Sequence, residues 1–101
     1  MKVSKIHFIG IGGISMSGLA LIAKSKGYDV SGSDIHENPV LAKLKEAGIN
    51  VYIGHREENT YGADLVVYTG AISGDNPELN YARKNKIKTI RRSKFIQLIM
   101  K

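Results

Sequence analysis

The chain reads as an α/β domain, a doubly wound parallel sheet of five strands with four helices. Three observations lead there. Short apolar runs alternate with stretches of helical period, and no repeat or low-complexity tract interrupts them. A glycine cluster, Gly10-Ile11-Gly12-Gly13, separates the first apolar run from the first helical stretch. The pairs Asn38-Pro39 and Asn76-Pro77 each supply a capping side chain followed by proline at the first helical position.

Taken in order, the first strand covers residues 4–9, where Ile6, Phe8 and Ile9 suit burial on both faces and His7 is a core or edge residue. After the glycine turn a helix spans 14–26. Its expected packed side holds Ile14, Leu19, Leu21 and Ile22 with the small Gly18 and Ala23, and Gly27 stands where a left-handed cap belongs. The second strand is 28–33. Asn38 and Pro39 open a second helix that reaches Ala47, with Gly48 beyond its end. A third strand, 49–53, is followed by a polar stretch, 54–64, and then by Leu65 to Tyr68, apolar enough to be central. Residues 69–74 are too glycine-rich for helix. Asn76 and Pro77 start a third helix ending near Lys84, residues 86–90 form a short fifth strand, and Ser93 caps a last helix bearing Phe95, Ile96, Leu98 and Ile99.

Composition narrows the function classes. With 101 residues, 43% hydrophobic and 24% charged, the chain suits one globular domain or a piece of something larger. No apolar run approaches a membrane span, and the start Met1-Lys2-Val3-Ser4-Lys5 leads into only a short, glycine-broken stretch, so neither membrane insertion nor a secretory leader is expected. There is no cysteine, and the three histidines, His7, His36 and His55, are scattered; a disulfide framework and a structural zinc are excluded, and the cytoplasm is the default compartment. The net charge of +6 is uneven, with eight bases and no acid in residues 82–101. Such a segment marks a nucleic-acid surface, a solvated helical face or a surface that meets another domain. It lacks the interleaved aromatics of a stacking platform, so no nucleic-acid partner is expected.

Right-handed crossovers give the strand order 3-2-1-4-5, with strands 1 and 4 adjacent where the winding reverses. Ligands of such sheets bind beyond the carboxyl ends of the strands at that point, which collects the glycine turn, Ser33-Asp34, Gly54-His55 and the run Thr69, Gly70, Ala71, Ile72. The turn Gly10, Gly12, Gly13 leads into Ile14, Ser15 and Met16, whose unpaired amides with the helix dipole behind them suit an anion such as a nucleotide diphosphate. The bland alternative is a tight structural turn. Asp34 follows Gly10 by 24 positions, near where a ribose-binding acid is expected, although a strand-end acid is equally a turn former. Ser15 occupies the place of the third Gly or Ala in a dinucleotide fingerprint, which counts against NAD. His55 and the 69–72 run stand between ligand contact and ordinary loop, and His36 has only its nearness to Asp34. There is no Gly-Lys-Thr or Gly-Lys-Ser, no nucleophile with a base partner and no carboxylate cluster. A binding site is legible; catalytic machinery is not.

The run from His7 to Ala20, His-Phe-Ile-Gly-Ile-Gly-Gly-Ile-Ser-Met-Ser-Gly-Leu-Ala, closely resembles the amino-terminal signature of the Mur ligase family, above all its members that join L-alanine to UDP-N-acetylmuramate. Ser31-Gly32-Ser33-Asp34, Gly54-His55, Ala71-Ile72, Asp75 to Leu79 and Arg91-Arg92 follow in that family's order. Ser15, usually Gly there, and Thr69-Gly70, usually two serines, depart from the pattern. The resemblance implies a Rossmann-like amino-terminal domain that holds the UDP-sugar, in a ligase of peptidoglycan biosynthesis whose central ATP-binding and carboxy-terminal amino-acid-binding domains are absent from this chain. It implies no cofactor here, with ATP and magnesium serving the whole enzyme, and no catalytic residue. Residues 12–17 would cradle the diphosphate, with Ser17 a hydroxyl donor; Asp34 and His55 would flank the uridine, and Thr69 to Ile72 would wall the crevice. Two alternatives stay open, a related ligase that attaches recycled tripeptide to UDP-N-acetylmuramate and a small NAD(P)-binding domain.

Overall fold

A computed structural model describes residues 3–100; Met1, Lys2 and Lys101, the last of the eight clustered bases, lie outside them. The strands β1 (Lys5–Ile9), β2 (Asp29–Asp34), β3 (Asn50–Ile53), β4 (Leu65–Tyr68) and β5 (Lys88–Arg91) form one sheet in the order β3-β2-β1-β4-β5. Every pair is parallel, so the doubly wound sheet expected above is the one found. Between the strands run α1 (Ile14–Ser25), α2 (Pro39–Glu46) and α3 (Pro77–Lys84), and α4 (Arg92–Ile99) closes the chain.

Alternation along β1 divides the core. Ile6 and Phe8 join the cluster formed with α1, α2 and α4, where the rings of Phe8 and Phe95 meet edge to face at 5.5 Å. Ile9 points the other way, to Leu79 and Ala82 of α3. At the amino end of β1 the Asp64 carboxylate accepts from the Ser4 and Lys5 amides, both at 2.9 Å, which pins β1 beside β4 and holds that carboxyl below its ordinary value.

Asn38 and Asn76 cap their helices as expected, each side-chain oxygen accepting from two backbone amides. Three expectations need correction. On α1 the packed residues are Met16, Ser17, Leu19, Ala20 and Ala23, whereas Ile14, Gly18 and Leu21 are exposed. The buried stripe begins at Met16, within the first turn, and follows a different phase from the one expected. The last helix opens at Arg92 rather than after Ser93, because β5 runs straight into it with Arg91 extended at the cap position and no side-chain cap. The fifth strand begins at Lys88, after Lys86 takes a left-handed φ of 59°. The polar stretch contains a 3₁₀ turn, Glu57–Thr60, closed by Thr60 Oγ1 donating to the Glu57 carbonyl at 2.6 Å.

One close approach sets the sheet against the glycine turn. A Cβ on Gly32 would lie 2.4 Å from Ile11 Cδ1 and 2.6 Å from Ile11 Cβ, atoms too deeply buried to move aside. Gly32→Ala is expected to lower stability by about 1–3 kcal/mol through overpacking. Gly74→Ala, where a Cβ would meet nothing within 4 Å, should stay within about 0.5 kcal/mol of the parent. Urea unfolding of the two variants checks the contrast.

Candidate ligand-binding site

The carboxyl ends of β1, β2 and β4 open into a cleft of about 510 Å³. Its floor is the turn after β1. Gly10 adopts φ +83°, which a side chain would strain, and its amide and that of Ile11 both donate to the Ser33 carbonyl, at 2.8 and 3.0 Å. Asp34 Oδ2 accepts from the Gly12 amide at 2.7 Å, and Oδ1 accepts from Ile35 N at 2.8 Å. A Cβ on Gly12 would sit 2.6 Å from Asp34 Oδ2 and 2.9 Å from Asn38 Nδ2, so only glycine lets these two side chains converge over the turn.

The turn delivers the chain into α1 with Gly13 as an extended cap that offers no side chain, and no acid lies in the first helical turn. The Gly13 amide donates to the Gly10 carbonyl and the Ser17 amide to the Gly13 carbonyl, while those of Ile14, Ser15 and Met16 engage no acceptor among the described residues. Three free donors at the positive end of a twelve-residue helix therefore face the cleft. Arg92 adds a full charge, its Nη1 donating to Ser15 Oγ at 2.9 Å.

Ten of the thirteen residues expected in the site line this cleft: Gly10, Gly12, Gly13, Ile14, Ser15 and Met16 on one side, with Asp34, Thr69, Ala71 and Ile72 around them. Three do not. Ser17 is buried, its hydroxyl turned back to donate to the Ile14 carbonyl at 2.9 Å. Gly70 faces a smaller hollow shared with Arg91 and Ser93. His55 turns inward to Ser33, 2.8 Å from Nδ1 to Oγ, and lies under the cleft instead of in it. Sequence reasoning missed Asn38, read only as a cap, and Arg92, read only as one base of a basic segment. Arg91-Arg92 carried part of the family resemblance and was the available signal.

Beneath the cleft lies a buried polar cluster. Glu78, fully buried on α3, accepts at Oε1 from His7 Nε2 at 2.6 Å and from Ser33 Oγ at 2.7 Å. Its Oε2 accepts from Arg56 N at 3.0 Å and Asn59 Nδ2 at 2.9 Å. Because the Ser33 hydroxyl donates to Glu78, the His55 Nδ1 must carry the proton it shares with Ser33. Burial alone would push the Glu78 carboxyl up; the His7 hydrogen bond and charge, with the Asn59 and Ser33 hydrogen bonds, overcome it and hold the carboxyl below its ordinary value. No buried side-chain nitrogen or oxygen among the described residues lacks a partner.

The model of the Mur ligase family, catalytic domain, matches residues 5–101. The chain belongs to the Mur ligase family. A UDP-N-acetylmuramate–L-alanine ligase of Clostridium acetobutylicum is 57% identical over 97 residues, 96% of this chain and 21% of that relative. A UDP-N-acetylmuramate–alanine ligase from Thermotoga maritima superposes with a TM-score of 0.91 at 42% identity, covering 95% of this chain and 22% of that one. A murein peptide ligase from Psychrobacter arcticus gives 0.86 at 28% identity, with 92% and 20% covered. The chain thus spans about a fifth of the length of these three relatives.

The buried carboxylate makes the fold acid-sensitive. Glu78 titrates below its ordinary 4.5 in the folded chain, so its contribution is complete above that value and is lost as pH falls through the lower folded one. Glu78→Gln, which sets an amide NH₂ among donors, is expected to cost about 3–5 kcal/mol at pH 7. It should also flatten the fall of stability below pH 4.5. Chemical denaturation across a pH series measures both.

Proposed function

We propose that the chain is the UDP-N-acetylmuramate-holding domain of a UDP-N-acetylmuramate–L-alanine ligase, acting in the cytoplasm in peptidoglycan synthesis. The observation that carries this reading is the meeting of three free α1 amides with the Arg92 guanidinium in one cleft, a site complementary to a diphosphate. Thr69, Ala71 and Ile72 wall the side toward β4, and Asp34 and Asn38 stand on the side toward β2. The choice of L-alanine over a peptide acceptor rests on relatedness, 57% identity to the L-alanine ligase against 28% to the murein peptide ligase. The acceptor's own pocket belongs to the length of the relatives that this chain does not span.

The chain's share of the reaction is to bind and orient. ATP, when bound in the whole enzyme, supplies the activation of the carboxylate that becomes the amide. A magnesium-nucleotide site takes several oxygen ligands, and the residues here do not fit one, since among the described residues Asp34 is the one carboxylate lining the cleft. Among the described residues no group of three His, Asp or Glu is placed to hold a metal, and no helix is long and apolar enough to cross a membrane.

Titrating UDP-N-acetylmuramate, UDP, NADH and ATP separately while following amide chemical shifts tests the reading. The two UDP ligands should move Gly12 to Met16, Asp34 and Thr69 to Ile72; a response to NADH alone would overturn it. Arg92→Ala is expected to weaken UDP-N-acetylmuramate about tenfold, the loss of one charge-assisted hydrogen bond, with little effect on the melting temperature. Calorimetry at two salt concentrations should show the parent's affinity falling more steeply with salt than the variant's.

A further inference from the structure

Arg92 stands between two cavities. It lines the cleft and also the hollow of about 160 Å³ that it shares with Thr69, Gly70, Arg91 and Ser93, so its side chain belongs to both walls. Arg83 and Arg91 lean on the Tyr68 ring, whereas among the described residues Arg92 meets neither a ring nor a carboxylate. The one hydrogen bond of its side chain there is Nη1 to Ser15 Oγ at 2.9 Å, and Ser15 lines the cleft but not the hollow.

Without that bond the guanidinium has reason to leave. It lies beside the first turn of α1, whose unpaired amides make a positive field that disfavours another positive group. Ser15 is the second residue of that helix, so its hydroxyl sits within the same turn. Arginine carries only donors; the serine oxygen therefore accepts, and it holds the charge at a point where a bound anion relieves the repulsion. A side chain fixed in advance also loses less freedom when the ligand arrives. We infer that Ser15 is a positioning residue, whose hydroxyl keeps the Arg92 guanidinium on the cleft side and aims its charge at the diphosphate instead of at the neighbouring hollow. The inference rests on the reading of the cleft as a UDP-sugar site.

A double-mutant cycle isolates the effect. Ser15→Ala keeps Arg92 and removes its acceptor; because Ser15 is exposed, the melting temperature should stay close to the parent's. By calorimetry UDP-N-acetylmuramate should bind this variant about threefold more weakly, and Ser15→Thr, which keeps the hydroxyl, should bind as the parent does. In a chain already carrying Arg92→Ala, adding Ser15→Ala should weaken binding no further, since no charge remains to be aimed. Losses that multiply in the double variant overturn the inference, because the hydroxyl would then touch the ligand by itself. A loss that Ser15→Thr shares with Ser15→Ala overturns it as well, by tracing the effect to the helix start; so does binding by Ser15→Ala as tight as the parent's or tighter. Each of these outcomes, with the parent binding UDP-N-acetylmuramate, leaves the reading of the cleft intact. A parent chain that does not bind it overturns that reading, and this inference with it.

Discussion

A single buried carboxylate holds the ligand-facing end of this domain together. Glu78 comes from α3 on one face of the sheet, yet its four hydrogen bonds reach β1 through His7, β2 through Ser33 and the segment around the 3₁₀ turn through Arg56 and Asn59. An ion moved out of water is costly unless every lone pair is answered, and here each oxygen has two donors. The arrangement thereby specifies which elements must meet: a register slip of one residue in β1 would send His7 to the opposite face and strand the charge.

The same cluster reaches the ligand turn through Ser33. Its hydroxyl is held by Glu78 while its carbonyl accepts from Gly10 and Ile11, so the buried charge and the exposed turn share one residue. Asp34, next along β2, then fixes the Gly12 amide. The turn is held in its binding shape by protein contacts before any ligand arrives, which reduces the ordering cost of binding. Gly12 and Gly32 serve this closeness by having no side chain, one beneath Asp34 and Asn38, the other against Ile11.

Most of the architecture was legible because it rests on local signals. The two Asn-Pro caps, the glycine turn and the short apolar strands each report on their own neighbourhood, and chain handedness converts them into the strand order. The misreadings are those in which distant residues decide. His55 sits after a strand and reads as a ligand-edge residue, but Ser33 and Glu78, 22 and 23 positions away along the chain, draw it inward. Ser17 lies within the fingerprint, yet the phase of α1 buries it. Arg92 reaches Ser15 from 77 positions away, a contact that no periodicity announces.

The basic carboxy-terminal segment also takes on a different meaning in three dimensions. Arg83 and Arg91 lie over the Tyr68 ring, 5.6 and 5.7 Å from its centre, and Arg92 turns into the cleft. Of the three only Arg92 lines the cleft beside the free α1 amides, while Arg91 borders the smaller hollow it shares with Arg92, so part of the positive excess is focused near the cleft instead of spread along a face. Focused charge raises the local concentration of an anion and steers its approach. It does not by itself select among nucleotides, because every diphosphate satisfies it. Selection has to come from the other end of the cleft, where Asp34 and Asn38 are each held in place by the backbone amides they accept from. Attraction and discrimination are therefore carried by different elements, β5–α4 for the first and β2–α2 for the second, and the glycine turn between them is where the two meet.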